Sequence, residues 1–537
     1  MRFKIWCVSV VVVLVSMATV AAVTVREIEK LKANIVAQEA AMRIGSGVEL
    51  NGNEMLLDFF LQEQKEMVME NSRKNRQTYL PAGSFYKVKP NVSEEAIYKI
   101  IQLMPKGAGL HLHDAGLTSS HWVIQNLTYR DNVYMKVDEH DFVFFAVFDG
   151  NPGNLTEWEQ VQARRSAAGN VEQFDEKLRQ NISLLSTDPL TTYSTTAEVR
   201  QRFERYLQQM RYLLYNTEIM RDYFRQALEE FKADNVQYIE VRSILSMFTS
   251  NVKDALRMFD QVVHEFKKDN PDFIGAKIIM TSLRHPLQET VAEEVQTALT
   301  ARAAYPDLVA GFDLVEEDEN GRPLSFYLQS LTATDGKLPY YFHSAETKWQ
   351  DTEVDRNVID ALLLNTRRIG HGYGLLKHPK ALEMVMTKDT AIEINPISNQ
   401  ILGLVSDLRN HPMAMLASQT YPVVVSSDYP AAWEAAPLSH DFYVVFMATS
   451  GQKTSLPFLK QLAVNSIRYS SMTPFDKHVA LNKWSQKWDE FVNKTLTLFN
   501  LTIHTHSTNG LSPSQTPAGV VFLFTVACFS LIVKVVI

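Results

Sequence analysis

Gly109-Leu110-His111-Leu112-His113-Asp114 is an apolar run that ends in two histidines one residue apart. In a β-strand, residues two apart share a face, so both imidazoles point into one pocket, as two ligands of one metal must. An isolated His-X-His pair is weak evidence, because such pairs often sit on solvated surfaces. Its weight comes from the company it keeps in the rest of the chain. Strand-like runs recur at Val236 to Val241, Phe273 to Met280, Val309 to Val315, Pro339 to His343, Arg368 to His371, Ala391 to Pro396 and Pro422 to Ser427. Helix-length amphipathic stretches such as Ala197 to Lys232 and Val291 to Ala304 lie between them. Eight β/α alternations with β-branched and aromatic strands predict an α/β chain closed into a (β/α)8 TIM barrel, in preference to an open sheet.

Barrel enzymes carry their chemistry at the C-terminal ends of the strands. The polar residues can be checked against that rule. His343-Ser344-Ala345-Glu346 closes the fifth strand. It reads as a further ligand with an acid beside it and also as a helix start with Ser344 as the cap and Glu346 near the dipole, and both readings can hold at once. Arg368-Ile369-Gly370-His371-Gly372 closes the sixth, and its glycines let the backbone approach closely and leave His371 facing the pocket. Val423-Val424-Val425-Ser426-Ser427-Asp428 closes the eighth. An ionised aspartate at the end of a buried apolar strand is costly unless it is paired or holds a metal. His111, His113, His343 and Asp428 form a three-nitrogen, one-oxygen set suited to one Zn²⁺ per chain, with a water in the open position. Glu346 and His371 are then the proton-handling groups, and with Asp428 they make the catalytic set.

The 537 residues are 46% apolar and 21% charged, as expected of a globular chain with a sizeable core. The net charge of −8 is spread without long blocks, which argues against nucleic acid as a partner. Arg2 and Lys4 precede an apolar run to about Val20 and then Ala21-Ala22, so residues 1–22 read as a secretory signal peptide, with an uncleaved anchor as the second reading. Residues 501–537 read as a polar spacer and a C-terminal hydrophobic anchor signal. That is a GPI-type signal or a single membrane span, and release of a soluble form is the third possibility. Six Asn-X-Ser/Thr sequons, at Asn91, Asn126, Asn154, Asn181, Asn493 and Asn500, fit a secreted or surface-tethered glycoprotein. Cys7 and Cys528 lie in the two terminal apolar segments, so the mature ectodomain is expected to have neither a disulfide nor a thiol-based site. Residues 23–90 read as a helical segment. Within it Glu54 to Leu61 carries an apolar stripe that serves either for pairing or for packing on its own domain. Residues 91–500 form the barrel, with an insertion at about 122–190.

Several stretches carry a resemblance: Met104-Pro105-Lys106-Gly107, Val309-Ala310-Gly311-Phe312-Asp313-Leu314-Val315, Asp360 to Thr366, Pro396-Ile397-Ser398-Asn399-Gln400-Ile401, and Leu404 to Pro412. With the histidine motifs in this order, the chain resembles the adenosine deaminase family, in its secreted growth-factor-related branch, from about Glu54 to Phe499. The resemblance implies a zinc barrel, homodimerisation through the N-terminal helical segment, and hydrolytic removal of the 6-amino group of a purine nucleoside, adenosine. It implies that Glu346 protonates the ring nitrogen, that His371 orients the attacking water or takes its proton, and that Asp428 ligates zinc and accepts the water's hydrogen bond. It further implies that Asp114 holds a ribose hydroxyl, and that a cell-surface receptor is a possible partner of a growth-factor-like chain. The substrate shell departs from the family's pattern. Tyr429 stands where the pattern has a second aspartate, and Glu316 where it has a glycine whose backbone approaches the purine. Arg200, Gln173 and Leu283 stand, by a rougher alignment, where the branch has ribose contacts. A cysteine pair expected in the insertion is missing. A full set of catalytic residues beside an altered shell leaves two readings: an extracellular adenosine deaminase with weakened or shifted nucleoside preference, or a catalytically impaired growth-factor-like or nucleoside-binding protein that keeps its zinc.

Overall fold

The computed structural model describes residues 24–501, apart from 75–78, 149, 151–152, 154–156, 187–191, 194, 248, 250, 285–286, 317–318 and 320. The signal-peptide reading, the C-terminal anchor reading, Cys7, Cys528 and the Asn154 sequon lie outside the described residues.

The first barrel strand is β1 (Gly107–His113). After the inserted strands β2 (Val133–Val137), β3 (Val143–Val147) and β4 (Glu159–Gln160) come β5 (Val236–Ser243), β6 (Gly275–Leu283), β7 (Val309–Val315), β8 (His343–Ser344), β9 (Arg368–His371), β10 (Ala391–Ile394) and β11 (Val423–Val425). Parallel pairing gives two four-stranded halves, β1-β5-β6-β7 and β11-β10-β9-β8. The halves meet at both edges. Leu112 pairs with Asp428 on one side and Phe312 with Tyr340 on the other. The Asp428 amide donates to the His111 carbonyl at 3.0 Å, and the Phe312 amide donates to the Pro339 carbonyl at 2.9 Å. These seams close the sheet into a barrel, so no edge is left to solvent.

The expected strands are all present, with shifted ends. Phe273 stays outside β6 and packs edge-on against Phe266, ring centres 5.0 Å apart, while β6 runs on to Leu283. The fifth expected run, from Pro339, reduces to the Tyr340 bridge and β8. Pro339, Pro396 and Pro422 have no amide hydrogen to give a ladder, so the strands around them are short.

Between β1 and β5 lies the insertion. It holds an antiparallel sheet in the order β3-β2-β4 and helices Val161–Ala167 and Val171–Asn181, tied by a buried Arg165–Asp175 ion pair at 2.8 Å. The stretch expected as one helix from Ala197 to Lys232 is two, Thr196–Leu214 and Thr217–Ala233. Asn216 breaks it by capping the second helix, its Oδ1 accepting from the Glu218 and Ile219 amides. Asn91, Asn126, Asn493 and Asn500 are exposed. Asn181 is half-buried, and its amide is engaged with Val143, Gln209 and Asp141, so this sequon's side chain already serves the fold.

The N-terminal segment divides in two. Helix Gly52–Lys74 buries Leu56, Leu57, Phe60 and Leu61 against its own barrel, where Phe60 meets Phe499 at 5.1 Å and the Trp488 indole donates to Glu54 at 2.6 Å. The stripe at Glu54 to Leu61 is therefore core. Helix Val25–Met42, opened by a Thr24/Glu27 capping box, buries none of its residues. Among the described residues no helix is long and apolar enough to cross a membrane.

Candidate active site

The strand ends bring the expected residues to one place. His113 ends β1, His343 begins the two-residue β8, His371 ends β9, and Asp428 follows β11 after Ser426 and Ser427. His371, Asp428 and Ala345 all have left-handed backbones, with φ of 62°, 61° and 57°. The chain turns out of each strand there at a conformational cost, which is the kind of local strain found at working sites. Gly370 is needed for close approach: a β-carbon on it would lie 3.0 Å from the His111 ring and 3.1 Å from the His343 backbone. The reading of Ser344 as a helix cap does not hold. Ser344 ends β8, and the next helix begins at Asn357.

His111, His113, His343, His371, Glu346 and Asp428 are all buried. His113 and His343 bring their Nε2 atoms to 3.3 Å, and Asp428 Oδ1 lies 3.3 Å from His113 Nε2 and 3.5 Å from His111 Nε2. Ligand atoms cluster as His111–His113–Asp428 and as His111–His343–His371. Burial pushes the three ligand histidines well below the ordinary imidazole range, so they are neutral and carry a lone pair. His111 gives its Nδ1 hydrogen to Glu393 at 2.6 Å, and His343 gives its own to Asp313 at 2.5 Å. Each Nε2 is thereby left as the acceptor atom aimed inward, in the carboxylate–histidine arrangement typical of metal sites. His111 Nε2 and Asp428 Oδ1 are buried without a hydrogen bond.

Behind the ligands is a buried ionic network that sequence reasoning did not assign. Arg242 donates to Asp313 and to Glu393, each at 2.8 Å, and Arg368 donates to Glu393 at 2.5 Å and to Glu240 at 2.6 Å. In ionised form Asp313, Glu393 and Glu240 outnumber their partners Arg242 and Arg368. Asp428, beside the ligand histidines, adds a fourth buried carboxylate, against which Arg284, donating to the His343 carbonyl, is the third guanidinium, so an excess of negative charge is left. A divalent cation among the three imidazoles and Asp428 would balance it, would satisfy the two orphaned atoms, and matches the nitrogen-and-oxygen donor set. The residues fit the metal.

The cavity in front of this cluster has a volume of about 310 Å³ and reaches from His113, Glu346 and His371 to Asp114, Arg211, Leu283 and Tyr429. Burial pushes the Asp428 carboxyl up to about 6, and the Asp114 carboxyl likewise up to about 6. His371 Nε2 and Glu346 Oε2 are 3.8 Å apart across the cavity wall.

Residues 177–487 match the adenosine deaminase family profile, and residues 7–101 match the adenosine/AMP deaminase N-terminal profile. Human adenosine deaminase 2 is 36% identical over 477 residues, covering 87% of this chain and 93% of its own length. The chain belongs to the adenosine deaminase family. Zebrafish (Danio rerio) adenosine deaminase 2-A is 38% identical over 86% of this chain and 93% of its own length. Adenosine deaminase of Phlebotomus duboscqi is 36% identical over 85% of this chain and 90% of its own length. Among solved structures, a zinc-bound amidohydrolase of Burkholderia ambifaria matches with a TM-score of 0.54 at 19% identity, over 75% of this chain and 95% of that one. The Arabidopsis N6-mAMP deaminase matches at 0.53 and 17%, over 72% of this chain and 99% of that one. At such identities these likenesses speak for the fold.

Against the family's pattern, the altered positions take definite places. Tyr429 lines the cavity, with its ring stacked on His113 at 4.4 Å and 8° and met edge-on by Phe203 at 5.0 Å. Glu316, the first residue beyond β7, is exposed at the cavity rim. Arg200 and Leu283 line the same cavity. Gln173 does not. It is exposed in the first turn of helix Val171–Asn181, so the rough alignment through the insertion misplaced that contact.

Proposed function

We propose that the chain is a zinc-dependent, extracellular adenosine deaminase that converts adenosine and water into inosine and ammonia. The observation that carries this is the pair of unsatisfied buried atoms, His111 Nε2 and Asp428 Oδ1, beside Glu346 and His371 in one substrate-sized cavity. His111, His113, His343 and Asp428 would hold the zinc. A zinc ion there would lower the pKa of water, so that an attacking oxygen is available near neutral pH.

The chain's own groups account for the rest. Glu346, as a neutral acid, protonates the ring nitrogen next to the attacked carbon. The water oxygen adds to that carbon and the carbon–amine bond then breaks. One of the water's two protons leaves with the amine as ammonia, and the other replaces the proton that Glu346 gave to the ring nitrogen. Asp428 accepts a hydrogen bond from the attacking water, and His371 orients that water or takes its proton. Asp114, which lines the same cavity, accepts from a ribose hydroxyl.

The second reading, an impaired nucleoside-binding or growth-factor-like chain that acts through a surface receptor, is favoured by Tyr429 and Glu316. A site that reads its substrate by hydrogen bonds loses orders of magnitude when those partners are gone. We assign homodimerisation to helix Val25–Met42, whose Ile28, Leu31, Ile35 and Met42 form an exposed apolar stripe. The leader, the sequons and the apolar tail support secretion with tethering at the outer cell surface.

The test is inosine formation by the purified zinc-loaded ectodomain. Turnover that disappears in Glu346→Gln while zinc stays bound supports the deaminase. Zinc bound with no inosine at high enzyme concentration rules it out in favour of the impaired reading. In an active protein, Tyr429→Asp with Glu316→Gly should raise kcat/KM on adenosine. An unchanged or lower value would mean that these two positions do not limit recognition.

A further inference from the structure

The stretches Pro396 to Ile401 and Leu404 to Pro412 contribute no metal ligand, yet they place two fully buried polar side chains behind His371. These are Asn399, in helix Pro396–Ile401, and His411, after the turn Leu408–Asn410. Three contacts join them in a line. The Met413 amide donates to His411 Nδ1 at 3.0 Å, His411 Nε2 meets Asn399 Oδ1 at 2.9 Å, and Asn399 Nδ2 meets His371 Nδ1 at 3.2 Å.

The direction of every hydrogen bond in this line is set by its first member. A backbone amide can only donate, so His411 Nδ1 is an acceptor and the ring's hydrogen is on Nε2. That Nε2–H donates to Asn399, so the amide atom facing it is the oxygen. The atom facing His371 is then the NH₂ group, which donates, so His371 Nδ1 is an acceptor. Burial keeps His411 neutral by pushing it down to about 3, so the line is not disturbed in the working range of pH. Tyr373 closes edge-on over the His411 ring at 5.7 Å, and the Leu404 amide donates to the Asn399 carbonyl at 2.8 Å, which holds both members in place.

We propose that His411 and Asn399 are positioning residues that lock His371 as the Nε2–H tautomer, so that His371 serves the reaction as a hydrogen-bond donor to the attacking water's oxygen. In this state Nε2 has no lone pair. His371 therefore neither joins the metal, although its ring lies among the ligand histidines, nor accepts the water's proton. Of the two roles open to it, orientation is the one that remains, and Asp428 is left as the acceptor of the water's hydrogen bond. This rests on the deaminase reading for its consequence in catalysis, but the tautomer itself does not.

The test has two arms on the zinc-loaded protein. In the first, ¹⁵N-histidine spectra, with His371 assigned by its loss in His371→Gln, report which ring nitrogen carries hydrogen. Hydrogen on Nε2 is expected, and hydrogen on Nδ1 overturns the proposal. This arm needs no activity, so it decides the tautomer even if the chain turns over no adenosine. In the second, Asn399→Asp offers His371 an acceptor in place of a donor and should move its hydrogen to Nδ1. The expected result is a fall in kcat of about 10- to 100-fold, the range for groups that orient a site's residues, with KM changed less than about twofold. His411→Gln, which can still donate to Asn399, should keep most of the wild-type kcat, whereas His411→Leu should not. Wild-type kcat in Asn399→Asp with a shifted tautomer would overturn the catalytic consequence.

Discussion

Glu393 has both carboxylate oxygens in use, Oε2 by His111 and Arg242 and Oε1 by Arg368. Glu393→Gln keeps the shape but presents an amide NH₂ group to one of these donors and frees His111 from its fixed tautomer. We expect zinc affinity to fall about 10- to 100-fold, measured by competition with a chelator. An unchanged affinity would show that the ligand cluster needs no carboxylate behind it. At this scale the ligands were legible because strand periodicity puts His111 and His113 on one face and because His343, His371 and Asp428 end their runs. The network was not legible in the same way. Glu240, Arg242, Arg368 and Glu393 pair across strands that are far apart in the chain. Their signal was weaker but real: each is a charge inside an otherwise apolar strand, where an unpaired charge cannot stay. Gln173 went astray because nothing in the insertion's sequence tells which turn of which helix faces the cavity.

Helix Gly52–Lys74 carries Lys65 into the core, where its Nζ donates to the Phe446 carbonyl and the Ser450 hydroxyl, each at 2.7 Å. Burial pushes its pKa down to about 7 from an ordinary value of 10.5. Between those values the unfolded chain binds a proton that the folded chain lacks. The contribution of this group to stability therefore increases as pH rises through that window, by at most about 1.4 kcal/mol per pH unit. Urea denaturation of wild type and Lys65→Met at pH 7 and pH 9 should show the difference moving in favour of wild type at the higher pH. A constant difference would mean that Lys65 stays charged when buried. Most elements were legible, since strands such as Val309–Val315 and Val423–Val425 are short, mainly apolar runs followed by a polar residue. The break at Asn216 was not, because it falls inside an amphipathic run without glycine or proline and depends on a side-chain cap. Nor could the stripe at Leu56 to Leu61 be told from a pairing surface until Phe499 and Trp488 were found against it.

The whole molecule is a closed barrel whose metal-fitting cluster sits at the strand C-termini, with helix Thr196–Leu214 lining the cavity in front of it and helix Val25–Met42 left uncovered. If helix Val25–Met42 pairs two copies, Leu31→Glu with Ile35→Glu should turn a dimer into a monomer in sedimentation equilibrium while inosine formation per chain stays the same. A dimer that survives these charges would assign the contact elsewhere. The proposed chemistry depends on a metal being what the buried cluster is built for. The most direct test is to strip the purified ectodomain with a chelator and titrate zinc back while following inosine formation from adenosine. Activity should be absent in the stripped protein, rise linearly, and level off at one zinc per chain, with His111→Ala neither binding tightly nor regaining turnover. Full activity in the stripped protein, or saturation with zinc at His111, His113, His343 and Asp428 without any inosine, would contradict it.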